Sequence, residues 1–115
     1  MKRYIRANRE VVTEEVTKLL SSLEGTYSNP KTGWSGTVSY DYVGYDDINH
    51  AYVWTIQFKG DGGSSSGVDY LYRYTDDTHR AMFMLMPDAG PASWADSFDE
   101  LRSVFRKEYS YLKKK

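Results

Sequence analysis

Between Thr37 and Phe58 the chain reads TVSYDYVGYDDINHAYVWTIQF, two runs of period-two alternation separated by an acidic, turn-forming stretch. Such alternation in β-branched and aromatic residues suits a strand, which turns successive side chains to opposite faces, and does not suit a helix. The two runs predict an antiparallel hairpin. In the first strand, 37–43, Val38, Tyr40 and Tyr42 share one face, and Ser39, Asp41 and Val43 the other. In the second, 51–59, Tyr52, Trp54, Ile56 and Phe58 lie opposite Val53, Thr55 and Gln57. A third run, 68–74, sends Val68, Tyr70, Tyr72 and Tyr74 to one side and Asp69, Leu71 and Arg73 to the other. A fourth, 81–86, separates Phe83 and Leu85 from Met82, Met84 and Met86. The short connections between these runs predict a meander.

The chain flanking the strands has helical periodicity. Val12, Val16, Leu19, Leu20 and Leu23 recur at three- and four-residue spacing behind a capping Asn8, with Glu10, Glu14 and Glu15 in the early turns and Gly25 as the stop. Near the other end, Ser93-Trp94-Ala95-Asp96 reads as a capping box opening a helix whose apolar face is Trp94, Phe98, Leu101, Phe105, Tyr109 and Leu112. Lys2–Ala7 reads as an edge strand or a loose arm, Thr26–Tyr27 as a short strand and 28–33 as a turn. Lys113–Lys115 reads as a solvated end. The expected fold is one α+β domain over residues 1–115. It has an antiparallel four- to five-stranded meander, flanked by an N-terminal and a C-terminal helix packed on one face.

Composition narrows the function classes. The chain has no cysteine, which removes disulfide and thiolate chemistry. No run approaches the ~18 apolar residues of a spanning helix. Met1-Lys2-Arg3 is followed by alternating apolar and charged residues rather than a signal-peptide core, so a cytoplasmic protein is expected. The net charge of −1 conceals segregation: residues 25–100 carry four basic and eleven acidic groups, whereas Arg102, Arg106, Lys107 and Lys113–Lys115 make the C-terminal end basic.

Eleven Tyr, three Trp and four Phe exceed what one covered face of a small sheet consumes, so some of Tyr40, Tyr42, Tyr70, Tyr72 and Tyr74 are expected to point outward. Exposed tyrosines on a sheet serve three ends: cross-strand pairing, a protein interface, or stacking of nucleic-acid bases. The acidic balance of the sheet region argues against the last, because phosphate binding needs a basic groove.

Two turns resemble each other: Tyr45-Asp46-Asp47-Ile48-Asn49-His50 and Thr75-Asp76-Asp77-Thr78-His79. A meander places them at the same end of the sheet, where carboxylates and imidazoles suit Zn²⁺ or Mn²⁺. The same residues are ordinary turn formers that bond their own backbone, and no tight ligand spacing accompanies them. The glycine- and serine-rich segment 59–67 lacks the Gly-Lys-Ser/Thr ending of a phosphate loop and reads as a long, mobile hairpin connection. Asp41 and Asp69 are a candidate carboxylate pair, more simply explained as a solvated face.

The opening MKRYIR, the absence of cysteine, and the mixture of acidic and aromatic residues resemble small accessory proteins of phages and mobile elements. Among these are anti-CRISPR-like inhibitors of host defence. That resemblance implies a non-catalytic protein that binds another protein and carries over no individual residue. The expected binding surface is the acidic, tyrosine-rich sheet and its turns: Tyr40, Asp41, Tyr42, Asp46, Asp47, Asp69, Tyr70, Tyr72, Asp76 and Asp77. No cofactor, metal or membrane is expected, and a homodimer is compatible. Two alternatives remain: single-strand nucleic-acid binding, with Lys59, Arg73 and the basic end supplying charge, and a metal-dependent hydrolase built on the paired turns.

Overall fold

The computed structural model describes the chain from Arg9 to Lys115 apart from Asp77, with side chains from Thr13 onward. The order of elements is α1 (Arg9–Ser21), β1 (Gly25–Asn29), β2 (Trp34–Asp46), β3 (Ala51–Gly60), β4 (Gly67–Tyr74), β5 (Phe83–Met86), β6 (Ser93–Ala95), α2 (Phe98–Glu108) and β7 (Lys113–Lys114). The fold is α+β, and its antiparallel sheet curls into a half-barrel. The expected edge strand or arm at Lys2–Ala7 and the Asn8 cap lie outside the described residues.

Among the described residues the sheet has seven strands in the order β6-β5-β4-β3-β2-β1-β7, rather than four or five. The additions come from short pieces. Ser93–Ala95, expected to open a helix, instead pairs with β5 as β6, so Trp94 belongs to the sheet. Lys113 and Lys114, expected as a solvated end, pair with Ser28 and Tyr27 of β1. The Lys115 amide extends this ladder by donating to the Thr26 carbonyl at 2.8 Å. The lysine side chains stay exposed there, with Lys115 Nζ donating to Ser35 Oγ at 2.8 Å, while the backbone closes an edge that β1 would otherwise leave unpaired.

Helix α2 starts later than the expected box because Ser97 is its N-cap. Ser97 Oγ accepts from the Glu100 amide at 3.1 Å, and the Glu100 carboxylate accepts from the Asp96 amide at 3.1 Å. Ser97-Phe98-Asp99-Glu100 is thus the Ser-x-x-Glu signature that opens this helix. At the other end of the chain, α1 stops at Ser21. The amides of Leu23 and Glu24 close the turn onto Leu20 and Ser21, and Gly25 begins β1 instead of capping the helix.

Both helices bury their apolar stripes in one core. Val16 and Leu20 of α1, and Leu101 and Phe105 of α2 with Tyr109 beyond it, join Val38, Trp54, Ile56, Leu71, Phe83 and Leu85 from the covered face of the sheet. The opposite face holds a smaller cluster of Ala51, Tyr74 and Met84, packed against Tyr72, Ala92 and Trp94. The expected alternation of β2, β3 and β4 agrees with this division up to Tyr42. There a bulge places Val43 as an extra residue before Gly44 pairs with Val53. One inserted residue returns the following side chains to the other side, so Tyr45 meets Tyr52 edge-to-face at 5.2 Å.

The β3–β4 connection, expected to be mobile, is tied down. Trp34 Nε1 donates to the Ser65 carbonyl at 2.7 Å, Ser66 Oγ accepts from the Gly60 amide at 2.9 Å, and the Asp61 amide donates to the Ser35 carbonyl at 2.8 Å. Its polar residues satisfy the loop's own backbone.

Candidate functional site

Of the ten residues expected to form one binding surface, the nine described are divided between the two faces of the sheet and its turns. Tyr40 and Tyr42 lie half-buried on the covered face. The Tyr40 hydroxyl shares a 3.0 Å hydrogen bond with Ser21 Oγ at the end of α1. Tyr42 packs its ring against Trp54 at 5.3 Å. Asp69 is also on the covered face and buried, where one carboxylate oxygen accepts from the Tyr109 hydroxyl and the other from the Asp88 amide, both at 2.7 Å. Asp41 points from the opposite side, where Gln57 Nε2 donates to it at 2.8 Å, so Asp41 and Asp69 do not form a carboxylate pair.

On the uncovered face, Tyr70 is exposed, Tyr72 half-buried and Tyr74 buried. Tyr74 is sandwiched in a stack, with His79 at 3.7 Å and Trp94 at 6.5 Å, and Arg80 covers Trp94 from 5.5 Å. Tyr72 also stacks on Tyr74 at 6.1 Å, so Tyr72, Tyr74 and Trp94 are engaged in intramolecular stacking. Arg73, one of the cations offered to nucleic acid, is buried, lies 5.6 Å over Phe83, and donates to the Tyr74 carbonyl.

The two acidic turns do meet at one end of the sheet. The Thr75 amide donates to the His50 carbonyl at 2.8 Å, and the Tyr45 hydroxyl pairs with Thr75 Oγ1 at 3.0 Å. Their carboxylates, however, are turned inward to their own loops. Asp46 accepts from the amides of Ile48 and Asn49 and from Asn49 Nδ2. Those bonds, the Asn49 side chain foremost, hold Asp46 below the usual carboxylate range. Asp76 accepts from Thr78 and from His79 Nδ1. Burial works to raise its pKa, but the bonds from Thr78 and His79 prevail and lower it. Asp47 is exposed, and Asp77 lies outside the described residues. Among the described residues no group of three or more His, Cys, Asp and Glu is arranged to hold a metal ion. No helix among them is long and apolar enough to cross a membrane.

A concavity lies elsewhere, between α1, α2 and the curled sheet. It has a volume of about 800 Å³. Val38 and Phe58 contribute from the sheet, Leu19 from α1 and Leu23 from the turn after it, and Phe98 and Phe105 from α2. Each helix turns an apolar stripe partly to the sheet and partly to this groove. Leu19 and Leu23 therefore remain half-buried beside the fully buried Val16 and Leu20. Lys18, Arg102 and Arg106 also line it, and Glu15 is the one acid there among the described residues. Arg102 is engaged by Asp99 at 2.8 Å, whereas Lys18 and Arg106 form no ion pair among the described residues. Tyr109 forms part of this groove, and its hydroxyl reaches the buried Asp69. Desolvation first, then the Asp69 charge, pushes the Tyr109 hydroxyl far above the ordinary phenol range and keeps it a donor.

A second, smaller cavity of about 310 Å³ lies beyond Phe58 and Leu112, which line both spaces. Asp69, Asp88 and Glu108 border it together with Trp34 and Tyr111. The apolar stripes of the helices were readable in the sequence apart from Trp94, which belongs to β6. The groove was not, because periodicity shows which residues face inward and not how far apart two helices stand on a sheet. No protein-family model, no curated protein and no solved structure matches this chain.

Proposed function

We propose that this chain is a non-catalytic binding protein that holds an apolar ligand in the groove between α1, α2 and the sheet. The observation that carries this reading is the groove itself. Its volume of about 800 Å³ falls in the roughly 300–1,000 Å³ range of clefts that bury small ligands. Its apolar lining includes Leu19, Val38, Phe58, Phe98 and Phe105, all set on helices and strands, which keep their positions better than loops do. Titration with the neutral fluorophore N-phenyl-1-naphthylamine tests it. A saturable rise in emission is expected for the full chain, lost when Leu23→Trp fills the groove. No saturable rise would remove the reading.

A second reading, engagement of a partner protein through the uncovered face of the sheet, has its own support. Tyr70 and Met86 are a cross-strand pair, 41% and 43% exposed, on the face that neither helix covers. Tyrosine and methionine are adaptable contact residues enriched at interfaces. Affinity capture with the wild type and with a Tyr70→Ser, Met86→Ser double variant tests this second site. A stoichiometric protein lost with the variant supports it, and equal capture by both forms removes it.

A further inference from the structure

Resting on the groove reading, we infer that the ligand is a single-chain amphiphile with an anionic head, either a carboxylate or a phosphate monoester. Its tail lies over Val38 and Phe58, and its head lies at Lys18 and Arg106. Charge complementarity carries the choice. The chain as a whole bears a net charge of −1, yet among the described residues the groove is lined by Lys18, Arg106 and the Asp99-paired Arg102 against the carboxylate of Glu15. Lys18 and Arg106 come from different helices and line the same apolar space. Arg106 Nη2 donates only to a neutral hydroxyl, Ser103 Oγ at 3.2 Å, and neither cation has an acidic partner among the described residues.

A cation near the end of each helix also suits the helix dipole, and that preference alone accounts for Lys18 and Arg106 being in the last turns. The dipole does not select which side of the helix the cation occupies. Here both cations border the apolar groove, and an apolar wall next to a charge favours a ligand that satisfies both. The long stems of lysine and arginine extend the hydrophobic surface while their heads stay hydrated until an anion arrives. Arginine adds a planar fork that matches the oxygens of a carboxylate or phosphate. A neutral apolar ligand would leave both charges unused, and a cationic amphiphile would be repelled. A protein helix with a uniformly apolar face would also leave the two charges without partners.

The experiment is calorimetric titration of the full chain with four probes of equal tail length, each below its micelle concentration: dodecanoate, dodecyl phosphate, dodecanol and dodecyltrimethylammonium. Saturable one-to-one binding is expected for the two anions, with dodecanol weaker by about tenfold or more, the scale of one charge-assisted contact. No binding is expected for the cation. Tighter binding of dodecanoate than dodecyl phosphate identifies a carboxylate head, and the reverse order identifies a phosphate. A Lys18→Gln, Arg106→Gln double variant should lose that advantage while binding dodecanol as the wild type does. Its unchanged thermal midpoint would show that the fold is intact. Equal affinity for dodecanol and the anions would overturn the charge assignment and leave the groove reading standing. Absence of binding by all four, together with no fluorophore binding, would overturn both.

Discussion

The hydroxyl of Tyr109, just past the end of α2, donates a 2.7 Å hydrogen bond to the carboxylate of Asp69 in β4. The two residues are 40 positions apart, and both are buried. This contact anchors the end of α2 to the sheet between the two cavities. Removing the hydroxyl should therefore loosen the helix that forms one wall of the groove. Tyr109→Phe keeps the ring in its contacts with Phe58 and Phe105 but leaves a buried carboxyl short of a donor. The expected cost is about 1–3 kcal/mol, read from the urea midpoint at constant m-value.

Asp69 also predicts a pH dependence. Desolvation raises its pKa above the unfolded value, although the bonds from Tyr109 and Asp88 pull the other way. From the unfolded carboxylate pKa of about 4 up to the raised folded value, the folded state holds a proton that the unfolded state has released. The stability this contributes is fully present below that window and is lost as pH rises through it. Unfolding curves from pH 3 to pH 8, for wild type and Asp69→Asn, should show their difference moving in favour of the variant as pH rises. A difference independent of pH would remove the assignment.

Gly36 is a close-approach glycine. A β-carbon there would meet the Lys59 carbonyl oxygen at 2.3 Å and the Trp34 ring at 2.6 Å. Backbone of the paired strand cannot retreat without opening the β2–β3 ladder, so Gly36→Ala should destabilise by about 1–3 kcal/mol. Gly33→Ala provides a contrast, because its β-carbon meets nothing within 4 Å and its cost comes from the +78° φ alone. Chemical denaturation of both variants tests whether Gly36 is limited by space. Loss of less than about 0.5 kcal/mol at Gly36 would mean that the strands can separate there.

Ser97 should be the residue on which the start of α2 depends. Ser97→Ala removes the oxygen that accepts from the Glu100 amide and should cost about 1 kcal/mol, whereas Ser97→Gly should cost only a few tenths. The corresponding change at Ser93 should behave as a strand substitution, without loss of helical signal in far-ultraviolet circular dichroism. Equal loss of helix from both changes would contradict the placement of the cap.

Much of the fold was legible because its signals are local. The alternation of Val38, Tyr40 and Tyr42 against Ser39 and Asp41 correctly separated the two faces, as did that of Leu71 and Arg73 against Tyr70 and Tyr72. Short edge strands carried no such signal. Ser93–Ala95 is three residues long and Lys113–Lys114 two, and pairing with a neighbour, rather than propensity, makes each a strand. The expected acidic surface was hard to read for a different reason. The residue types were identified, but the partners that occupy Asp46, Asp69 and Asp76 depend on turn geometry and on contacts distant in sequence.

The sequence by itself determined the two helices and the four longer strand runs, the inward-facing Val16 and Leu20 of α1 and Leu101 and Phe105 of α2, and the face of each long strand up to Tyr42. These follow from the fixed periods of helix and strand. Only the tertiary structure decided that Val43 bulges and turns Tyr45 toward Tyr52, that the C-terminal lysines pair with β1, and that a groove opens between the helices. Each of these depends on how the sheet curls and on where two elements come to rest against it. That position is set by the sum of many non-local contacts, none of which leaves a periodic mark in the chain.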